Sequence, residues 1–311
     1  MSRRVVAIFA NIAATAWAAL RHRARCLPPA TQGMLLVAVS GMIFCVLNAL
    51  MRLLAQDMPA MQSQFLRYAL GLVVLAPWLW RDGLAAYKPQ SVRGQFARGA
   101  FHSAGLALWF IALPRIPLAD MTAIGFTTPI FVMIGAYLFL GEVMRWERWL
   151  AAAVGMAGVL IVVGPQLSGS GGVDHLIMLA SAPMFAASFL ITKALTRHER
   201  AGVILMWQAI TVSLISLPLA LWAWQWPSAW QWLGFLLCGV LGSAGHYALT
   251  KAFSLADFSA TQSLKFLDLV WSALMGWLIF ADVPTSTTLI GGAVICTATI
   301  WIAGRESRRV N

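Results

Sequence analysis

The stretch GMLLVAVSGMIFCVLNALMRLL, residues 33–54, carries no charged side chain until Arg52. A helix rises 1.5 Å per residue, so about 20 apolar residues cover a hydrocarbon core of about 30 Å. This stretch is long enough to cross a bilayer, and comparable ones follow at 62–80, 95–114, 117–140, 146–164, 174–194, 201–223, 230–251, 257–281 and 286–304. The connections are short and often opened by Pro or Gly, which leaves no room for a water-soluble domain. Of the 311 residues, 60% are hydrophobic and 11% charged. A soluble domain carries about 25% charged residues, so a soluble enzyme, a disordered chain and a disulfide scaffold are all poor descriptions. The expected fold is an all-α integral membrane protein with ten transmembrane helices.

Charge supports that reading and orients it. The net charge of +11 arises from 22 Lys and Arg against 11 Asp and Glu. No interleaved basic and aromatic surface stretch accompanies it, so nucleic acid is not an expected partner; the lipid bilayer is. If the N-terminus is cytoplasmic, 18 of the 22 basic residues fall at inside connections and two, Arg52 and Arg115, outside. That asymmetry predicts a multi-pass membrane protein with both termini in the cytoplasm. The connection Trp222–Trp232, uncharged and rich in Trp, reads as an outer interfacial belt. Residues 5–20 are apolar but are followed by the basic cluster Arg21–Arg25, unlike a signal peptide. An interfacial helix is preferred there over an eleventh span. Cys26, Cys45, Cys238 and Cys296 lack CxxC spacing and read as small hydrophobes.

The chain also repeats itself. At an offset of 140, Ser103-Ala104-Gly105 meets Ser243-Ala244-Gly245, and Phe126 and Leu138 meet Phe266 and Leu278. Glu142 meets Asp282, keeping the charge. At 141, Ser40, Phe44 and Pro77 meet Ser181, Phe185 and Pro218. Each half then holds five spans, and because five is odd the second copy must enter the membrane from the opposite side. Two inverted five-helix repeats place a substrate site near the midplane between the halves, as in many secondary transporters. The expected organisation is an N-terminal segment (1–32), repeat 1 (33–164), a Gly/Ser linker (165–173), repeat 2 (174–304) and a short tail (305–311).

The stretch Ile116-Pro117-Leu118-Ala119-Asp120, with Phe126-Thr127-Thr128-Pro129-Ile130 and Leu140-Gly141-Glu142, resembles the EamA family of the drug/metabolite transporter superfamily. Ala281 and Asp282 depart from the second Gly-Glu pair usual in that family. The resemblance covers about residues 31–304 and implies transport of a small polar metabolite, such as an amino acid or derivative, S-adenosylmethionine or riboflavin.

Ionisable groups inside a bilayer are costly and mark candidate function. Lys265 and Asp268 stand three residues apart in the ninth span. They read either as substrate contacts, Lys265 for a carboxylate or phosphate and Asp268 for an amine or proton, or as a self-neutralising packing pair. Arg67 lies five residues into the second span, with a stem long enough to snorkel outward. His102 and His246 fall on related faces of the third and eighth spans and read as substrate or proton contacts, or as core imidazoles. Asn48 is a polar lining residue, and Trp109 and Trp271 offer stacking surfaces for a planar ligand or plain packing. Glu142, at an inner helix end, reads as a gate, and Asp268 as a proton-coupling group. No metal or cofactor site is expected.

Three functional classes follow. The first is a secondary transporter working by alternating access, monomeric or homodimeric. The second is an intramembrane enzyme, for which Ser103 beside His102 and Ser243 near His246 are the available pairs and no protease motif exists. The third is a channel or passive scaffold. The transporter fits the residues best, and no enzymatic activity is expected.

Overall fold

A computed structural model describes residues 27–54, 57–112, 124–125, 127–143, 145–163, 172–257, 261, 264–265, 267–280 and 286–307. The expected N-terminal interfacial helix, most of the linker, and the Ile116–Asp120 and Ala281–Pro284 motifs lie outside the described residues. Within them the chain forms ten α-helices: α1 (Pro29–Leu54), α2 (Ala60–Asp82), α3 (Val92–Ala112), α4 (Thr128–Leu140), α5 (Trp146–Val163), α6 (Gly172–Leu195), α7 (Ala201–Trp222), α8 (Ala229–Leu255), α9 (Leu267–Phe280) and α10 (Ser286–Ser307). Each falls on one of the ten segments read from the sequence. Four described helices are long and apolar enough to cross a membrane by length and composition: α1, α7, α8 and residues 176–195 of α6.

Local chemistry sets several of the boundaries. Ser228 caps α8 in a reciprocal capping box with Gln231, the Ser228 amide donating to Gln231 Oε1 at 2.8 Å. Gly83 (φ 80) and Gly141 (φ 68) end α2 and α4 in the left-handed region that a side chain disfavours. Pro59 precedes α2, and Pro129 occupies the first turn of α4, where a missing N–H costs nothing.

The burial pattern is that of a lipid-solvated bundle. Leu35, Val39, Val73, Phe139, Leu219 and Ile300 point outward, whereas Ser40, Gln64, Arg98, His102, Gln208 and His246 are buried. Hydrocarbon satisfies the former, and only other protein groups can satisfy the latter. Helices α1 and α8 pack closely together, as do α3 and α6, α5 and α10, and α2 and α7. Gly33 of α1 meets Ala252 and Ala256 at the end of α8, while Leu54 meets Gly234 near its start, so α1 and α8 run antiparallel.

Close crossings occur in matched pairs. At α3–α6 a Cβ on Gly105 would stand 3.0 Å from the Phe185 ring; at α1–α8 a Cβ on Gly245 would stand 3.0 Å from the Phe44 ring. At α3–α7 a Cβ on Gly99 would lie 2.5 Å from Thr211 Cβ, and at α2–α8 one on Gly239 would lie 2.9 Å from the Gly71 nitrogen. These positions correspond at the sequence offsets of 140 and 141.

Two apolar clusters bracket the middle of the bundle. One gathers Leu47, Met51, Leu54, Leu66, Phe110 and Phe235; the other gathers Met34, Val37, Val132, Ala136, Leu249 and Phe253. Phe44 packs against both. The polar side chains of interest occupy the layer between them.

Candidate functional site

At the centre of that layer stands Tyr68 of α2. Its hydroxyl lies 2.8 Å from His102 Nε2 on α3 and 3.3 Å from His246 Nε2 on α8, and it accepts from Gln208 Nε2 on α7 at 3.4 Å. The two imidazoles meet edge to face with ring centroids 5.3 Å apart. Ser188 Oγ of α6 lies 3.4 Å from His102 Nδ1. One phenol thus joins three neighbouring helices, and through His102 a fourth. All these groups are buried, so each bond replaces a hydration that the interior cannot supply.

Arg98 extends the network towards the end of the bundle that carries most of the basic residues. It donates to Thr192 Oγ1 at 2.5 Å, to the Ile204 carbonyl at 3.1 Å and to Gln208 Oε1 at 2.5 Å. Arg98 is only 2% exposed. At that end Glu199 accepts from the Gln90 and Ser91 amides at 3.1 and 2.9 Å and from the Gln95 side chain. Arg200 donates to the Ala86 carbonyl at 2.8 Å, and Trp207 Nε1 to the Tyr87 carbonyl at 3.0 Å. Burial, with Asp82 beside it, holds the Tyr87 phenol above its ordinary range. Lys193 donates to the Phe253 and Ala256 carbonyls at 2.7 Å, where it also complements the negative end of α8. Arg148 pairs with Asp257 at 2.7 Å. The Glu199, Arg200 and Trp207 bonds tie the α6–α7 connection and α7 to the α2–α3 connection. At the other end Gln62 exchanges two hydrogen bonds with the Gln225 backbone, at 2.5 and 2.9 Å.

A second polar group lies beside Phe44. Lys265 Nζ is 3.5 Å from Asp268 Oδ2 and 5.5 Å from the centre of the Phe44 ring. The same ring meets His246 edge to face at 4.8 Å, linking the two groups. A methyl on Gly41, mid-length in α1, would overlap the Asp268 carboxyl, so the missing side chain admits the acid at mid-depth. Cys45 Sγ lies 3.4 Å from both the Asp268 carbonyl and Ser272 Oγ. Here too the sequence reading needs correction. Lys265 sits in a turn before α9 and Asp268 in the first turn of α9, not both within one continuous helix. An acidic group in a first turn is stabilised by the exposed amides of the helix start.

Arg67 does not snorkel. It is 7% exposed, its guanidinium lies over the Tyr68 ring at 5.1 Å, and its Nε has no acceptor. Asn48 lies on α1 beyond Phe44 and is exposed. At 100° per residue it points away from Leu35, Val39, Met42 and Leu53, the exposed apolar stripe of the same helix. Its exposure therefore faces the inside of the bundle, not lipid. Trp271 is partly buried with an unpartnered Nε1, its ring against Gly41. Trp109 is partly buried and packs edge to face on Phe110 at 5.0 Å, beside the apolar clusters. Glu142 lies just past the end of α4, away from the central layer.

The sequence reading omitted Tyr68, which holds the arrangement together. The signal was available: one of only four tyrosines in the chain, mid-span and next to an arginine. It also missed Ser188 and Ser272, which look like ordinary small span residues. The serine–histidine pairs proposed for an enzyme are not formed at His102. Its nitrogens face Tyr68 and Ser188, and Ser103 Oγ has no hydrogen-bond partner among the described residues.

Comparison with known proteins gives a consistent result. The chain is 33% identical over 283 residues to a riboflavin transporter of Rhizobium johnstonii, covering 90% of this chain and 93% of that one. It is 28% identical to an S-adenosylmethionine uptake transporter of Rickettsia felis, covering 85% and 90% respectively. It is 31% identical to the pseudopaline exporter CntI of Pseudomonas aeruginosa, covering 87% and 95%. A crystal structure 18% identical in sequence superposes with a TM-score of 0.73 over 90% of this chain and 99% of that one, which shows a shared fold. These relatives are transporters, not enzymes. The EamA-like transporter family matches residues 31–164 and again 174–304, and the chain belongs to that family.

Proposed function

We propose that this membrane transporter carries a small polar metabolite by alternating access between two inverted five-helix halves, residues 33–164 and 174–304. The matched crossings Gly105–Phe185 and Gly245–Phe44, and Gly99–Thr211 and Gly239–Gly71, support that symmetry. The repeated family match, with its break between the halves, supports it as well. Substrate occupies the layer lined by Asn48, Arg67, His102, His246, Lys265, Asp268 and Trp271. Its class is an amino acid or derivative, S-adenosylmethionine or riboflavin, the last two being cargoes for which relatives are named. Asp268 and the imidazoles serve proton coupling, and Glu142 belongs to the gate at the basic end. The protein resides in a bacterial inner membrane with both termini in the cytoplasm, alone or as a homodimer.

One observation carries the reading. Asn48 is an exposed amide on the inward face of a membrane-spanning helix, one turn from Phe44, where a passive scaffold would be packed shut. Purified protein in liposomes, offered labelled S-adenosylmethionine, riboflavin and amino acids, should show saturable uptake and counterflow. Failure to move any of them sinks the proposal. Single cysteines at Arg197 and Trp230 should label from opposite faces of the membrane, Arg197 from the cytoplasm; labelling from one face rejects the topology.

A further inference from the structure

Of the ionic groups in the central layer, Lys265 is balanced by Asp268, and Arg98 makes three hydrogen bonds. Arg67 has neither: among the described residues its guanidinium makes no hydrogen bond and no ion pair. Its guanidinium lies over the face of Tyr68, and Arg67 is only 7% exposed. A cation held this deep without an anion is costly, and the cost persists only where something offsets it.

A small cavity adjoins Arg67. It lies between α2, α7 and α8, and Tyr68, Gly71, Gly242, Ser243 and His246 line it as well. A Cβ on Gly242 would stand 3.4 Å from Arg67 Nε and 3.7 Å from Nη2, ordinary contact distances, so a methyl there would fill space beside the donor edge of the guanidinium without displacing it. No carboxylate lines this cavity. With Lys265 and Asp268 cancelling, Arg67 and Arg98 leave the layer with two uncompensated positive charges.

We infer that this cavity is the subsite for a carboxylate of the transported molecule, with Arg67 as its anchor and Ser243 as a neighbouring donor. The inference rests on the transporter reading and narrows its substrate class to acids. A planar guanidinium matches a carboxylate through two parallel N–H bonds. One arginine balances one monoanion, and the donors of Arg98 are engaged elsewhere. Lys265, which the sequence alone favours for this role, already has its partner.

The test compares matched probes on purified protein: S-adenosylmethionine against its decarboxylated analogue, methionine against methioninamide, and riboflavin as a cargo without a carboxylate. Ligand-induced thermal stabilisation reports binding, and proteoliposome counterflow reports flux. Wild type should bind at least one carboxylate-bearing probe about tenfold or more tightly than its carboxylate-free, more cationic partner, the scale of one charge-assisted contact. Arg67→Gln should abolish that preference. Arg67→Lys, which keeps the charge and is checked for a monodisperse fold, should retain part of the preference. Gly242→Ala should weaken the acid alone.

A preference that survives Arg67→Gln overturns the inference, as does a wild type indifferent to the carboxylate in every pair. Riboflavin flux with no carboxylate preference overturns the Arg67 subsite while leaving the transporter reading intact. Arg67-dependent acid binding without flux of any probe does the reverse. A wild type that binds none of the probes overturns both.

Discussion

Replacing Tyr68 by Phe removes one oxygen and leaves the ring, so the contact with Arg67 and the volume of the core are kept. Three hydrogen bonds disappear, to His102 at 2.8 Å, His246 at 3.3 Å and Gln208 at 3.4 Å. Interhelical hydrogen bonds in membrane proteins average about 0.6 kcal/mol and reach about 1.7 kcal/mol. With the short bond near the upper value and the two longer ones near the mean, the loss is about 3 kcal/mol. At about 2 °C per kcal/mol for a chain of this size, the melting temperature in detergent should fall by about 6 °C. Tyr247→Phe is the matched control, because that residue is 49% exposed on the outside of α8 and should not change the melting temperature. In a Gln208→Leu background, Tyr68→Phe should cost less than in wild type, since one of its three partners is already gone. A fall below about 1 °C in the single variant would show that the phenol is not a structural junction. It would also remove the basis for treating the two imidazoles as one unit.

Other perturbations test other parts of the molecule. Gly99→Ala places a methyl against Thr211 and should cost about 1–3 kcal/mol of stability, as overpacking does. Thr211→Gly in the same chain should restore the loss, and a double-mutant cycle that shows no coupling rejects the close crossing. Glu199→Gln weakens three accepted hydrogen bonds at the basic end. It should cost about 1–3 kcal/mol and raise proteolytic cutting near Gln90, an effect read on a gel. In a cysteine-free background, Asn48→Cys should react with a charged, water-soluble thiol reagent, whereas Val39→Cys and Leu53→Cys, facing lipid, should not. Equal reactivity at all three positions would mean that the inner face of α1 is not separately hydrated.

The number of helices and their approximate extents were legible because apolar length is a direct requirement of the bilayer. Fine boundaries were not: α1 begins at Pro29 and α8 runs to Leu255, since polar residues continue a helix at the interface without cost. The positions of His102 and His246 on related faces were legible from the internal repeat, and the structure puts their rings in contact. Two charges misled in the same way. Arg67 and Arg98 lie near helix ends in the sequence, and distance along a helix suggests an easy escape to water. Both instead turn inward, because aromatic and carbonyl partners come from helices more than a hundred residues away or from the adjacent Tyr68. Lys265 and Asp268 were recognised as neighbours, but an i, i+3 spacing is satisfied equally by a helix and by the turn that precedes one. Tyr68 went unnoticed because a neutral phenol carries no charge to flag it.

The crossing of α1 with α8 bears on how the chain is made. Ser40 donates to the Gly245 carbonyl, a partner 205 residues further along. At a synthesis rate of about 5–20 residues per second, that partner leaves the ribosome about 10–40 s after Ser40 does. Throughout that delay the contact face of α1, with Ser40 and Gly41, has neither its hydroxyl acceptor nor the aspartate it will cover. The nascent helix must therefore wait, either at the insertion machinery or in lipid with a polar stripe unsatisfied. A truncation before Ala229 would leave it waiting indefinitely, so nonsense fragments of this protein should be cleared by membrane quality control and not persist as stable half-molecules.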